Sequence, residues 1–385
     1  MISYSKQYID KKDIIAVNSV LTGDFITQGK KILEFENSLK KYFGSKYCLV
    51  LSNATIALYL LAKALGWKKN DIVICSPNSF LSASNATLIS GAKPYFVDIE
   101  SNTGNLDINV LQKKITELKK KKLKIKAIIV TDFGGMPSDW SVLKKIGEKN
   151  KITLINDNCH AMGAKYNNSK QYAAKYSDYV IHSYHAAKNI TTGEGGSILS
   201  NHKSVIDKIK LLRTHGVIKT PKKFPWYYEM HQLGYNARIT DFQCALGISQ
   251  LKKLDKIVKR KKEIAQIYNH NFSKIKNLKI PPVFKNKVSA FHLYPLRINF
   301  TKLKISKTFF FNLLKKKGIN LQVHYIPIYK QPYYKKLFKF QDKDFKQTED
   351  FYSSEVSLPL YYLLKKKQIM HVVKQIKNVM IKYND

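Results

Sequence analysis

Between residues 47 and 183 the chain alternates short apolar runs with amphipathic stretches, and this rhythm restricts the fold more than any other feature. Strand-like runs fall at 47–51, 72–75, 94–97, 126–130, 152–155 and 179–183. Helical patterns fill the gaps, from about residue 55 to 65, from 80 to 90, at 107–122 and at 138–150. Strands without polar alternation are buried on both faces, so the pattern predicts an α/β protein with a mostly parallel sheet covered by helices. In such sheets ligands sit beyond the carboxyl ends of the strands. Polar clusters stand at four of these ends: Asn53, Ala54 and Thr55; residues 78–80; residues 157–160; and residues 183–188.

Two amphipathic helices, 8–22 and 31–43, precede the alternation and are separated by Gly23-Asp24 and the turn Thr27-Gln28-Gly29. Beyond residue 201 the rhythm changes. Helices are expected at 202–214, 239–275, 305–317 and 366–382, and strands at 292–299 and 320–325. This predicts a large domain over 1–250 and a smaller α+β domain over 251–385, a division that a 385-residue chain can support.

The net charge of +40 raises the question of nucleic acid. Only four of the 67 basic residues are arginines, Arg213, Arg238, Arg260 and Arg297. Base and phosphate readers favour the bidentate guanidinium, and the lysines lie on the polar faces of expected helices. The charge therefore reads as a solvated lysine surface that attracts anionic small molecules, with no nucleic-acid partner. Cys48, Cys75, Cys159 and Cys244 lack metal spacing and sit in or beside apolar segments, as reduced thiols do. The N-terminal stretch has no signal-peptide core, and no apolar run approaches a membrane span. The expected location is the cytoplasm.

One lysine stands apart by its setting. Lys188 lies between a Ser183-Tyr184-His185 turn and the glycine-rich exit Gly193-Glu194-Gly195-Gly196. Asp157 ends the strand-like run upstream. A lysine for covalent attachment and an aspartate for a pyridine nitrogen are what pyridoxal 5′-phosphate (PLP) chemistry requires. Asn53, Ala54 and Thr55 open a helix, whose free N–H groups suit the cofactor phosphate, and Ser183 could add a hydroxyl. Phe80 could stack on the ring, and His160 and His185 stand on the same rim. A helix cap, a core phenylalanine and structural histidines remain the alternatives at these positions. No metal site is expected, since the spacing of Asp157 and His160 has no matching second pair.

These residues resemble the DegT/DnrJ/EryC1/StrS family of PLP-dependent nucleotide-sugar aminotransferases. The matching blocks are Asp157-x-x-His160-Ala161-x-Gly163, Ser183 to Gly196, Arg213-Thr214-His215-Gly216, Gly234-Tyr235-Asn236-Ala237-Arg238 and residues 245–251. Departures are mild, with Asn156, Asn158, Cys159 and Tyr184 replacing commoner residues. The resemblance implies a fold-type-I aminotransferase with a mostly parallel seven-stranded sheet, working as a homodimer with shared sites. It also implies that Asn236 reaches the neighbouring subunit's cofactor phosphate. Segments 21–31, 291–295, 322–329 and 357–360 resemble the branch of the pseudaminic acid pathway. That branch uses L-glutamate to aminate C4 of a UDP-linked 4-keto-6-deoxy-N-acetylhexosamine. Thr27, Gln28, His324 and Tyr325, with His185, are the expected contacts to the sugar nucleotide. Sister enzymes acting on a different dTDP-, GDP- or UDP-ketosugar stay open at this point, as do a silent ligand-binding relative and a basic nucleic-acid-binding protein.

Overall fold

The computed structural model describes residues 1–220 and 223–383. It begins with α1 (Lys11–Leu21) and α2 (Lys30–Phe43). Asp10 caps α1, and Asp13 returns a hydrogen bond to the Asp10 backbone, a reciprocal arrangement that satisfies otherwise open N–H groups. The alternating region follows as β1 (Tyr47–Leu51), α3 (Ala54–Ala64), β2 (Asp71–Cys75), α4 (Ser82–Ile89), β3 (Lys93–Phe96), α5 (Ile108–Lys120), β4 (Lys124–Thr131) and α6 (Trp140–Asn150). It continues through β5 (Thr153–Asp157), β6 (Lys165–Tyr166), α7 (Tyr172–Tyr176), β7 (Tyr179–Ser183) and β8 (Gly196–Ser200).

The seven strands of the main sheet run in the order β1-β8-β7-β5-β4-β2-β3. All neighbours are parallel except β8, which runs antiparallel to both β1 and β7. Alternate residues of each strand point to opposite faces. Thus Ile72, Ile74, Ile128 and Val130 enter one core, while Val73, Cys75, Ala127 and Ile129 enter the other. Both faces are apolar, which is why these strands read as unbroken hydrophobic runs.

After β8 come α8 (Lys203–Leu212), the antiparallel pair β9 (Val217–Lys219) and β10 (Tyr228–Met230), α9 (Asp241–Leu251) and α10 (Leu254–Phe272). Then follow β11 (Leu278–Lys279), β12 (Lys287–Val288), β13 (Pro295–Ile298), α11 (Lys307–Lys316), α12 (Pro332–Leu337), α13 (Lys346–Ser354), β14 (Glu355–Ser357) and α14 (Lys366–Tyr383). A third core joins the second half of α10 to β13, β14, α11 and α14, and also takes in Ile2. The first half of α10 belongs to the large sheet's core through Leu254, Ile257 and Val258. One helix therefore serves both cores.

Two expectations need correction, and one strand of the expected seven was not read from its own segment. The single helix at 239–275 is two helices. The chain leaves helical geometry at Lys253 (φ −104°, ψ −4°), whose ammonium is held by Asp13 and, at 3.1 Å, by Asp10. Residues 320–325 are not a strand; only Gln322 bridges to Ser357, and the His324–Tyr325 peptide is cis. The main sheet also holds β8, whose run follows directly on the glycines that close the Lys188 turn. Its antiparallel course comes from that turn folding back, as Ser183 pairs with Gly196.

Candidate active site

A cavity of about 1180 Å³ opens at the carboxyl edge of the sheet. Asn53, Ala54, Thr55, Phe80, Ser183, His185, Lys188, His324 and Tyr325 all line it. Residues from three of the four polar clusters placed on one rim therefore meet in this cavity, while Asp157 and His160 of the fourth are not among those that line it.

Lys188 sits in a tight turn, its N–H donating to the His185 carbonyl at 2.9 Å, and the turn closes with a bridge between His185 and Gly193. Its Nζ has no hydrogen bond or ion pair among the described residues. Burial pushes this amine below the ordinary lysine range, against the opposing pull of Cys159 and Asp157. Asp157, 5% exposed at the end of β5, takes Thr131 Oγ1 on one oxygen and the Cys159 N–H on the other, each at 3.2 Å.

The N-terminus of α3 forms another wall. Asn53 is its cap: the side-chain oxygen accepts the Ile56 N–H at 2.8 Å and the carbonyl accepts the Ala57 N–H. The N–H groups of Ala54 and Thr55 have no partner among the described residues, as expected of a first helical turn. Gly196 is what allows α3 to lie this close to β8. A Cβ at 196 would stand 2.4 Å from the Asn53 carbonyl carbon and 2.5 Å from the Ala54 nitrogen.

His160 lies beneath the cavity wall. Its Nδ1 accepts the Gly134 N–H at 3.3 Å, and its Nε2 lies 3.0 Å from the Tyr325 hydroxyl. Burial, reinforced by Lys188, pushes its pKa well down, so the ring is neutral and its one proton sits on Nε2, facing Tyr325. Gly135 (φ +100°) makes this packing possible, because a Cβ there would meet the backbone of Phe291, His160 and His292 at 2.9–3.1 Å. Phe80 is 59% exposed, with its ring 6.2 Å from that of Tyr325. Ser183 Oγ accepts the His185 N–H at 3.4 Å.

Three of the expected residues stand apart. Thr27 and Gln28 lie on the exposed turn between α1 and α2, and Asn236 is exposed beyond β10, bridged to Thr214; none lines the cavity of this chain. Ile218, Phe224, Trp226, Tyr228 and Met230 of the β9–β10 segment are exposed as well.

Two neighbours of Lys188 escaped the sequence reading. His292 lines the cavity with its ring 4.4 Å from His160, and its buried Nδ1 lacks a hydrogen-bond partner. Lys261, 3% exposed on α10, donates to Asn189 Oδ1 at 2.8 Å. Its pKa is pushed down to about 7, chiefly by burial and further by Lys188. A signal for Lys261 was present: it occupies the helical stripe of Ile257, Ile264 and Tyr268, where an apolar residue belongs.

Sheet order, the cavity at its carboxyl edge and the half-buried Lys188 facing it fit an aminotransferase of the α/β class. More particularly, the chain belongs to the DegT/DnrJ/EryC1/StrS aminotransferase family, whose sequence profile matches residues 7–377. The chain is 41% identical over 364 residues to a Campylobacter jejuni (strain 81-176) protein named UDP-4-amino-4,6-dideoxy-N-acetyl-beta-L-altrosamine transaminase, covering 94% of this chain and 93% of that one. Among solved structures, Helicobacter pylori PseC, an aminotransferase involved in the biosynthesis of pseudoaminic acid, superposes with a TM-score of 0.91. It is 33% identical, with 99% of this chain and 100% of that one covered. The PLP-form of the sugar aminotransferase Spr1654 from Streptococcus pneumoniae gives a TM-score of 0.89 at 27% identity, covering 99% and 98%. No helix among the described residues is long and apolar enough to cross a membrane.

Proposed function

We propose that this chain is a PLP-dependent transaminase that moves the amino group of L-glutamate to C4 of a UDP-linked 4-keto-6-deoxy-N-acetylhexosamine. The specific substrate would be UDP-2-acetamido-2,6-dideoxy-β-L-arabino-hexos-4-ulose, in pseudaminic acid biosynthesis. One observation carries the reading: an unpartnered, half-buried amine, Lys188 Nζ, faces a cavity walled by an uncovered helix N-terminus. The Campylobacter and Helicobacter relatives supply the substrate class by their names.

The residues present fit the cofactor. The Ala54 and Thr55 N–H groups, with the Thr55 and Ser183 hydroxyls, would hold its phosphate; Gly196 keeps that cradle open. Phe80 would cover the ring, and His160 would stand beside it. Asp157 would keep the proton on the ring nitrogen. When bound, the cofactor supplies an electron sink that lets the donor's Cα–H bond break. Lys188 Nζ then takes that proton and later delivers one to the sugar's C4. Its burial helps, because an amine with a depressed pKa is more readily free to accept.

The proposal extends to assembly. The apolar β9–β10 surface, with Asn236 and the 27–28 turn exposed outside this chain's own cavity, supports a homodimer whose partner completes the site. Residues 1–250 would form the cofactor-binding unit and 251–385 the smaller unit, in a cytoplasmic enzyme. The test supplies the holoenzyme and glutamate with two UDP-4-keto-6-deoxy-N-acetylhexoses epimeric at C5. Amination of the L-configured sugar supports the proposal; amination of only the D-configured one moves the enzyme to a sister pathway.

A further inference from the structure

Three groups beside the cavity form a hydrogen-bonded chain that the proposed reaction leaves unused. Glu355 and Ser357 are buried and, two residues apart on β14, share one face of the strand. Ser357 Oγ lies 2.5 Å from Glu355 Oε1 and 2.8 Å from His324 Nδ1. The other carboxylate oxygen, Oε2, accepts the backbone N–H of His324 at 2.9 Å.

Counting protons settles the direction of this chain. A carboxylate only accepts, and a hydroxyl has one hydrogen to give. Ser357 therefore donates to Glu355 and accepts from His324, so Nδ1 carries the imidazole proton. The ring stays neutral, its pKa pushed down to about 3 by burial and then by Lys188. That leaves Nε2 as a bare lone pair, without a partner among the described residues, on a ring that lines the cavity.

We propose that Glu355, acting through Ser357, fixes His324 as a hydrogen-bond acceptor toward the cavity and so selects a ligand that presents a neutral donor there. This rests on the sugar-aminotransferase reading and deepens it: the donor is a hydroxyl or the amide N–H of the N-acetylated ketosugar. A cationic donor is disfavoured by Lys188 in the same cavity. A keto oxygen or carboxylate at that point would set lone pair against lone pair. Glu355 and Ser357 are positioning residues; His324 makes the contact.

The device depends on the charge of Glu355. Burial raises this carboxyl to about 7, against the opposing effects of the Ser357 hydroxyl, the His324 N–H and Lys307. Lys307, at the start of α11, is itself pushed down to about 8 by burial and donates to the Tyr352 carbonyl. With Oε2 held by the His324 N–H, an added proton sits on Oε1 and turns the Ser357 hydroxyl toward Nδ1. The ring proton then moves to Nε2, and the acceptor becomes a donor.

The test is ¹⁵N NMR of the holoenzyme labelled at histidine, at pH 8.5, with the His324→Gln spectrum assigning the resonance. The expected wild-type ring is protonated at Nδ1 and bare at Nε2. Glu355→Gln should reverse it, since the amide N–H₂ facing Ser357 forces the hydroxyl to donate to Nδ1. Both Glu355→Gln and Ser357→Ala should raise KM for the ketosugar about tenfold, the worth of one neutral hydrogen bond. The single-turnover reaction with glutamate should stay at the wild-type rate. A wild-type ring protonated at Nε2 overturns the proposal, as does an unchanged KM in both variants. Loss of the glutamate reaction in the wild-type holoenzyme would instead strike the parent reading.

Discussion

Gly196→Ala tests the geometry of the site most sharply. The new methyl would stand 2.4 Å from the Asn53 carbonyl carbon and 2.5 Å from the Ala54 nitrogen, both backbone atoms. Ordinary contact between carbon atoms needs about 3.5 Å, so one side must retreat by ~1 Å. β8 is locked between β1 and β7, hence the N-terminus of α3 is the side that gives way. A shift of that size at a positioned anion site costs on the order of 100-fold in binding or rate. Overpacking costs roughly 1–3 kcal/mol of stability besides. Gly193→Ala is the control. Nothing lies within 4 Å of its Cβ, but φ is +80°, so it pays only a conformational penalty of roughly 1–2 kcal/mol. Titration of the apo-protein with PLP, followed by absorbance, should find Gly196→Ala binding far more weakly and Gly193→Ala binding as the wild type does, while both melt lower. Equal cofactor affinity for Gly196→Ala and wild type would refute the argument that Gly196 holds the anion site in place.

Further outcomes follow from other residues. Asp157→Asn should slow the reaction with glutamate on the order of 100-fold, because an amide cannot stabilise a protonated ring nitrogen as a carboxylate does; stopped-flow absorbance checks this. Tyr325→Phe removes the partner of His160 Nε2 and should cost roughly 1–3 kcal/mol in denaturant unfolding, the penalty of an unsatisfied buried donor. Lys261 binds its proton more weakly folded, at about 7, than unfolded, at the ordinary 10.5. Between those values the unfolded chain holds more protons, so wild-type stability should rise with pH, by up to about 1.4 kcal/mol per unit from this group. Lys261→Met should flatten that rise; identical slopes for the two proteins between pH 7 and 9 would count against a buried, titrating amine.

The main sheet and its covering helices were legible because the strands are buried on both faces and the helices keep a clear period. Asp157, Lys188 and the opening of α3 fall at strand ends, where local pattern alone marks a ligand edge. Less was readable where pairing partners are distant. Residues 320–325 alternate polar and apolar side chains as a strand would, yet only Gln322 pairs with β14, at Ser357, and the His324 N–H is taken by the Glu355 side chain instead of a ladder partner. The break at Lys253 depends on Asp10 and Asp13, some 240 residues away, which no helical periodicity encodes. Asn53 serves as a cap, which the residue types alone left undecided, and its capping leaves the N–H groups of Ala54 and Thr55 open toward the cavity. His292 and Lys261 reach Lys188 only through the packing of α10 and the 289–293 loop against the sheet, so sequence spacing could not join them.

The most direct measurement is the yield of 2-oxoglutarate from glutamate in a single turnover of the PLP-loaded protein, with wild type and Lys188→Ala side by side. One equivalent per site from the wild type and none from the variant is the predicted result. No 2-oxoglutarate from the wild type, or the same amount from Lys188→Ala, would contradict the assignment of this cavity as the site of amine transfer.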